Sequence, residues 1–220
     1  MKYERSVALV AYSKPVIKEA KNLKELVVYC ARVSNPKNQT NTITSEKLLK
    51  YLRDNAHWSP FEMVSITMEI NTTRDIARQL LRHRSFSFQE YSQRYAEVDA
   101  IPQFREARLQ DKKNRQNSIE TDDRDLQSIW RWKQIDTWNT AINHYHQALK
   151  EGIAKEQARA LLPEGLTPSR LYMAGTLRSW LHYCDLRTGN GTQREHIEIA
   201  KDCQKIIEDL LNDDTEEDNP

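Results

Sequence analysis

Glycine is scarce in this chain, with five residues in 220 against a usual share of about 7%. Neither G-x-G-x-x-G nor G-x-x-x-x-G-K-[ST] occurs. The dinucleotide-binding turn and the P-loop are therefore excluded, and a phosphate held here is held mainly by side chains. An excess of one charge is lacking too. Lys and Arg number 33 and Asp and Glu 32, for a formal net charge of +1. Such a balance argues against a protein that wraps nucleic acid. Long apolar runs are absent. Val7 to Tyr12 is the longest early one, short for a signal-peptide core and far below the ~18 residues of a membrane span. No nucleic acid and no membrane is expected as a partner. The cysteines are Cys30, Cys184 and Cys203. An odd count without C-x-x-C spacing speaks against a disulfide scaffold or a zinc knuckle. It fits a reducing cytoplasm (a host's, for a viral chain), and no metal site is expected.

What remains fits one domain. A chain of this length builds one sizeable core and not several. No internal repeat or Ser/Gly/Pro linker divides residues 1–220, and the acidic end, about 208–220, is expected to fray. Residues 6–12 read as a buried strand, and 17–32 and 45–55 as helices. From 62 to 70 the residues alternate, with Val64, Ile66, Met68 and Ile70 on one face, which specifies a strand. Thr72 or Thr73 can cap a helix over 74–83. Residues 84–95 fit no helical period and read as an extended, functional loop. The polar stretch 103–125 reads as a lid or surface excursion. A long helix over 125–150 carries Trp132, Ile135, Trp138, Ile142, Tyr145 and Leu149 as its apolar stripe. A short helix over 154–162 stops at Pro163. Thr167-Pro168 then resembles a cap with proline in the first turn, opening a helix with Leu171, Ala174, Leu177 and Leu181 inward. Thr192 to Glu195 spells a capping box for the last helix, which buries Ala200, Cys203, Ile207 and Leu210. The expected fold class is α+β, a mostly helical single domain with a small antiparallel sheet.

Chemistry concentrates in fourteen residues: Arg82-His83-Arg84, then Ser87, Glu90, Ser92, Arg94 and Tyr95. Guanidinium forks match phosphate oxygens, and a polyanion would offset the mutual repulsion of three arginines. A solvated basic turn balanced by Glu90 and water accounts for the same residues equally well. His144 and His146, two apart on a helix, point away from each other and form no metal pair. Trp132 and Trp138 lie on the apolar stripe, which favours core or interface over a stacking platform. Arg105, Arg108, Lys112, Lys113 and Arg115 make either a solvated face or a lid.

The run R-H-R-x-x-S-x-x-E-x-S-x-R-Y, residues 82–95, resembles the signature of the flavin-dependent thymidylate synthases. Ala31-Arg-Val-Ser34, His57-Trp-Ser59-Pro60-Phe61-Glu62, Ala77-Arg-Gln79, Gln157-Ala-Arg159-Ala-Leu-Leu-Pro163, Leu177-Arg178-Ser179-Trp-Leu-His182 and Leu186-Arg187 extend the resemblance over roughly residues 5 to 200. It implies reductive methylation of dUMP to dTMP. Methylenetetrahydrofolate gives the carbon, and FAD reduced by NADPH gives the hydride. It also implies a homotetramer with active sites between subunits. Carried over position by position, Ser59, Arg82, His83, Arg84, Glu90, Thr176, Arg178 and His182 contact FAD. Gln79, Arg82, Glu90, Tyr91, Ser92, Gln93, Arg94, Arg159 and Arg187 contact dUMP. Arg187 is the catalytic residue, a cation favouring ionisation at N3 of the uracil. No protein nucleophile is needed in this scheme, so the cysteines are read as structural, Cys184 least firmly. Ser92 is read as a binding residue because no histidine base lies beside it. Thr176 and His182 stand where relatives often have Asn, and Asp185 is placed to pair with Arg187.

Overall fold

A computed structural model describes residues 5–189 and 191–212. The chain opens with strand β1 (Ser6–Tyr12). Asn22 caps helix α1 (Leu23–Ala31), its side-chain oxygen accepting from the Glu25 amide at 2.9 Å. Helix α2 (Ser45–Asp54) follows. Proline in the first turn makes Ser59–Met63 a short 3-10 helix, which delivers the chain into β2 (Ser65–Thr73). Helix α3 (Arg74–Leu80) starts at once, with Thr73 in extended backbone as its N-cap residue. Strand β3 (Ser87–Glu90) and a hairpin of β4 (Arg108–Gln110) and β5 (Ser118–Glu120) come next. Asp123 accepts from the Leu126 amide at 3.0 Å and caps α4 (Arg124–Lys150). After α5 (Lys155–Ala158) and a 3-10 turn at Arg159–Leu161 come β6 (Pro168–Thr176), α6 (Leu177–Arg187) and α7 (Arg194–Asn212).

The strands β1-β2-β6-β3 form one antiparallel sheet in that order, with β4 and β5 apart as a second. Register in β1 shifts between Leu9 and Ala11, so the strand carries a bulge. Alternation puts Ile66, Met68 and Ile70 of β2 and Leu171 and Met173 of β6 on one face, all fully buried. Trp180 of α6 lies against that face and donates from Nε1 to the Ile66 carbonyl at 3.0 Å. Each such burial contributes about 1.5–3 kcal/mol, so α6 is fixed to the sheet. α7 closes this core with Ile199, Ala200, Cys203 and Ile207. A second, smaller core gathers Trp138 and Tyr145 of α4 with Val98, Leu162 and Leu166. Among the described residues no helix is long and apolar enough to cross a membrane.

The single α+β domain with an antiparallel sheet agrees with expectation, and several local expectations do not. Residues 168–176 are a strand and not the start of a helix. The spacing of Leu171, Ala174 and Leu177 fits both readings. Pairing along the whole length of β2, from Pro168 opposite Thr73 to Thr176 opposite Ser65, decides it. The cap moves to Thr176, whose side chain accepts from the Ser179 amide. The helix expected at 17–32 starts only after Asn22, and the strand expected at 62–70 is shifted to 65–73 by the proline turn. Residues 84–95 contain strand β3, and 103–125 contain the β4–β5 hairpin. The capping box at Thr192–Glu195 is not made. The helix begins at Arg194, and the Glu195 carboxylate is taken by Arg108 and Gln193. Trp132, expected on the buried stripe, is 63% exposed. Helix α7 continues to Asn212, and 213–220, the end of the acidic stretch, lie outside the described residues.

Candidate functional site

Helix α3 follows β2 without a loop, so its side chains stand at a fixed edge of the sheet. Arg74 and Arg78, one turn apart, border a cavity of about 520 Å³ with Gln93, Glu156, Arg159 and Glu164. Three guanidiniums face two carboxylates there. Arg78 pairs with Glu164 at 2.5 Å. Arg94 pairs with Glu156 at 3.0 Å, and Arg159 donates from Nε to the Glu156 carbonyl at 3.3 Å. Gln93 is buried, and its Nε2 has no partner among the described residues, a cost of about 1–3 kcal/mol that a ligand oxygen would remove. Glu90 sits on the final residue of β3, where Arg74 at 3.4 Å and the Ser169 hydroxyl at 2.7 Å hold its carboxylate. The Tyr91 amide donates to the Arg170 carbonyl, and the Ser92 carbonyl accepts from Tyr95 and Ala96, so the expected nucleotide loop is a tight turn beside β6.

A second group forms where the end of α6 meets the turn after α3. Arg187 donates from Nε to His83 Nε2 at 2.9 Å. An arginine only donates, so that nitrogen is unprotonated and the imidazole proton sits on Nδ1. Burial, aided by the Arg187 charge, lowers the His83 pKa to about 4. His196 of α7 is fully buried nearby, its ring 6.3 Å from that of His83. Burial, then the Arg187 charge, then His83, lowers its pKa to about 3. Gln79 reaches this group and not the cavity: His196 Nδ1 lies 3.2 Å from Gln79 Oε1. Tyr183 stacks edge-on to His83 at 5.0 Å, and burial raises its hydroxyl pKa far above the ordinary range.

Ser59, Thr176, Arg178 and His182 lie together around the first turns of α6. Arg178 forms an ion pair with Glu62 of the proline turn, and the His182 ring lies 4.4 Å from that of Trp58. The Ser179 hydroxyl donates to the Ser85 carbonyl at 3.3 Å, joining this end to the arginine turn. Arg82 and Arg84 are exposed and take no ion pair among the described residues. Two arginines this close in sequence, neither paired with a carboxylate among the described residues, suit the pyrophosphate of a dinucleotide such as FAD. Arg187 sits at the opposite end of α6 from Arg178, about 14 Å along the axis. Within this one chain, then, the expected cofactor positions on α6 and Arg187 occupy opposite ends of the same helix.

Some expectations change. Asp185 does not pair with Arg187; its nearest cation is Arg53 at 3.9 Å, because residues two apart on a helix point to different sides. Cys184 is buried, and burial pushes its thiol up to about 12. Cys203 is buried with its thiol raised well above its ordinary range, and Cys30 is raised as well. All three are poor thiolate nucleophiles. His144 is exposed, His146 half-buried, and no metal-ligating cluster occurs among the described residues. Sequence reasoning missed Arg74, Arg78, Gln193 and His196. For the arginines a signal existed: positions 74, 78 and 82 share a helical face by their four-residue spacing.

Comparison with known proteins gives concordant results. The family described as "Thymidylate synthase complementing protein" (Thy1) matches residues 15–211. The chain is 50% identical over 202 residues to a probable flavin-dependent thymidylate synthase of Paramecium bursaria Chlorella virus 1, covering 92% of this chain and 93% of that one. It is 48% identical over 182 residues to the flavin-dependent thymidylate synthase of Synechocystis, covering 83% of each. Among solved structures it is similar to the UMP/dUMP methylase PolB of Streptomyces cacaoi bound with 5-Br dUMP. There the TM-score is 0.79 and the identity 28%, over 95% of this chain and 92% of that one.

Proposed function

The chain belongs to the Thy1 family and is a flavin-dependent thymidylate synthase with FAD as cofactor; from that premise we propose how its own side chains serve the reaction. The substrates are dUMP, methylenetetrahydrofolate and NADPH, and the product is dTMP. The 5-Br dUMP in the PolB relative supports a deoxyuridylate in this fold. The observation that carries the reading is the Arg187–His83 pair. Arg187 spends Nε on a neutral imidazole, while its two terminal nitrogens take no partner among the described residues. That cation, held in place and not neutralised, is what a uracil needs as negative charge develops at N3 and O4.

The cavity walled by Arg74, Arg78, Gln93 and Arg159 takes the nucleotide end of the site. Arg94 and the turn from Tyr91 to Ser92 lie at its rim, joined to it through Glu156. A phosphate entering there takes Arg94 and Arg159 from Glu156 and gives the buried Gln93 Nε2 an acceptor. Gln79 and Arg82 complete the dUMP contacts. Ser59, Arg82, His83, Arg84, Glu90, Thr176, Arg178 and His182 hold the flavin, which supplies the hydride. His83 offers it Nδ1–H, the one donor its bond to Arg187 leaves. Glu90 stands between both ligands, kept in place by Arg74 and Ser169. The ends of α6 separate two parts of this site, which supports a homotetramer whose subunits complete one another's sites. The wide exposure of Ile129, Trp130 and Trp132 on α4 supports it too. The place of work is the cytoplasm, or a host's.

The test is release of tritium from dUMP labelled at C5, with methylenetetrahydrofolate and NADPH, with and without added FAD. Release that requires both folate and FAD is expected. No release from protein shown to bind FAD and dUMP would overturn the reading, and Thr176 and His182 would be examined first.

A further inference from the structure

One chain of hydrogen bonds runs from the hairpin through the start of α7 into α3, and its direction is fixed from the Arg108 end. Arg108 of β4 can only donate, and does so to both Glu195 oxygens, at 2.7 and 3.0 Å. Burial opposes ionisation of Glu195. The residue's own amide and the charges of Arg105 and Arg108 outweigh it and keep the carboxyl below its ordinary range. Gln193 must therefore turn its nitrogen to Glu195, at 2.9 Å, and its oxygen away. That oxygen accepts from Gln79 Nε2 at 2.9 Å. Gln79 Oε1 is thereby turned to His196 Nδ1 at 3.2 Å, which must carry the imidazole proton. A flipped Gln79 would set its oxygen against the Gln193 oxygen, and His196 would have to change tautomer to accept the Gln79 N–H at Nδ1. A protonated His196 would place a second cation by Arg187, with an Nε2–H that meets no acceptor among the described residues.

We propose that Gln193 and His196 are positioning residues that lock the Gln79 carboxamide in one orientation, so that its remaining N–H meets an oxygen of the bound nucleotide. The inference rests on the reading of Gln79 as a dUMP contact and deepens it. Glutamine left free would populate both amide orientations and lose rotamer entropy on binding. Here the folded chain has fixed the orientation before the nucleotide arrives, and it has done so with residues from β4, α3 and α7.

The test uses FAD-loaded enzyme, steady-state kinetics with dUMP as the varied substrate, and calorimetric titration with dUMP. His196→Phe keeps an aromatic ring and removes the donor. His196→Asn keeps an N–H at the place of Nδ1. Gln193→Leu breaks the chain at a half-exposed residue and so does not depend on repacking the core. Expected for His196→Phe and Gln193→Leu is a rise of about tenfold in KM and Kd for dUMP, the loss of one well-placed hydrogen bond. Values of kcat within about twofold and unchanged FAD retention should accompany it, with His196→Asn restoring KM to within about threefold. Unchanged KM and Kd in both His196→Phe and Gln193→Leu would overturn the proposal. Equal impairment of His196→Phe and His196→Asn with a lowered Tm would do so as well, showing a packing role only. Gln79→Ala separates the two claims. If it leaves Kd unchanged, Gln79 does not contact dUMP and both fall. If it weakens binding while the His196 and Gln193 variants do not, the positioning role alone falls.

Discussion

Of the pair Arg187 and His83, only Arg187 carries charge, and the geometry keeps it so. The imidazole can accept from Arg187 only while neutral, and its burial keeps it so down to about pH 4. Arg187→Ala should leave FAD bound, judged by flavin absorbance after gel filtration, and cut tritium release by about 100-fold or more. Arg187→Lys should recover little, because an ammonium cannot hold His83 and present a planar fork as well. The two histidines also set a pH dependence of stability. Their folded pKa values, about 4 for His83 and about 3 for His196, lie below the ~6.5 of the unfolded chain. As pH falls through ~6.5 the unfolded chain takes up two protons that the folded one refuses. Stability is therefore full above that pH and declines towards pH 4. Urea midpoints at pH 7, 6 and 5 should fall in that order, less steeply in His196→Phe; a flat series would contradict the assignment. The arginine turn was legible because its residues are consecutive. His196 was not: a lone histidine in the first turn of a helix carries no pattern, and its meaning comes from α3 and β4.

Gly175 shows what one strand position does for the element beside it. A Cβ there would stand 2.5 and 2.8 Å from Phe86 ring carbons. That ring is boxed in by Trp180 at 4.8 Å and Tyr183 at 6.1 Å, so it has no easy retreat. Phe86 also lies 6.4 Å from His83, so the ring fixes the arginine turn against the sheet. Gly175→Ala should cost about 1–3 kcal/mol and lower Tm by several degrees. FAD affinity should fall with it, and a fully stable variant with normal FAD binding would show the ring free to move. At this scale the sequence was legible where one element decides its own form. β2 was clear from strict alternation, and α4 from its long apolar period. β6 was misread because Thr167-Pro168 imitates a helix start and its apolar spacing fits both periods. What makes it a strand is β2, about a hundred residues earlier. Arg74 and Arg78 were overlooked although their spacing was visible, because the wall they complete comes from Gln93 and Arg159.

The whole molecule is a polar chain of near-zero net charge built on two unequal cores. The smaller core leaves much of α4 uncovered, and the residues proposed for the site lie at both ends of α6. Sedimentation of the FAD-loaded protein should therefore give about four times the chain mass, and Trp132→Asp should yield smaller particles. A 25.9 kDa species at micromolar concentration would rule the tetramer out. The two outer strands of the main sheet have a separate consequence, for how the protein behaves when it is stored. β3 is four residues long, and β1 is broken in register at Leu9 to Ala11. Neither edge offers an incoming strand a straight ladder of free backbone groups. Concentrated native protein thus lacks a ready seed for cross-β growth, and fibrils would have to start from unfolded chains.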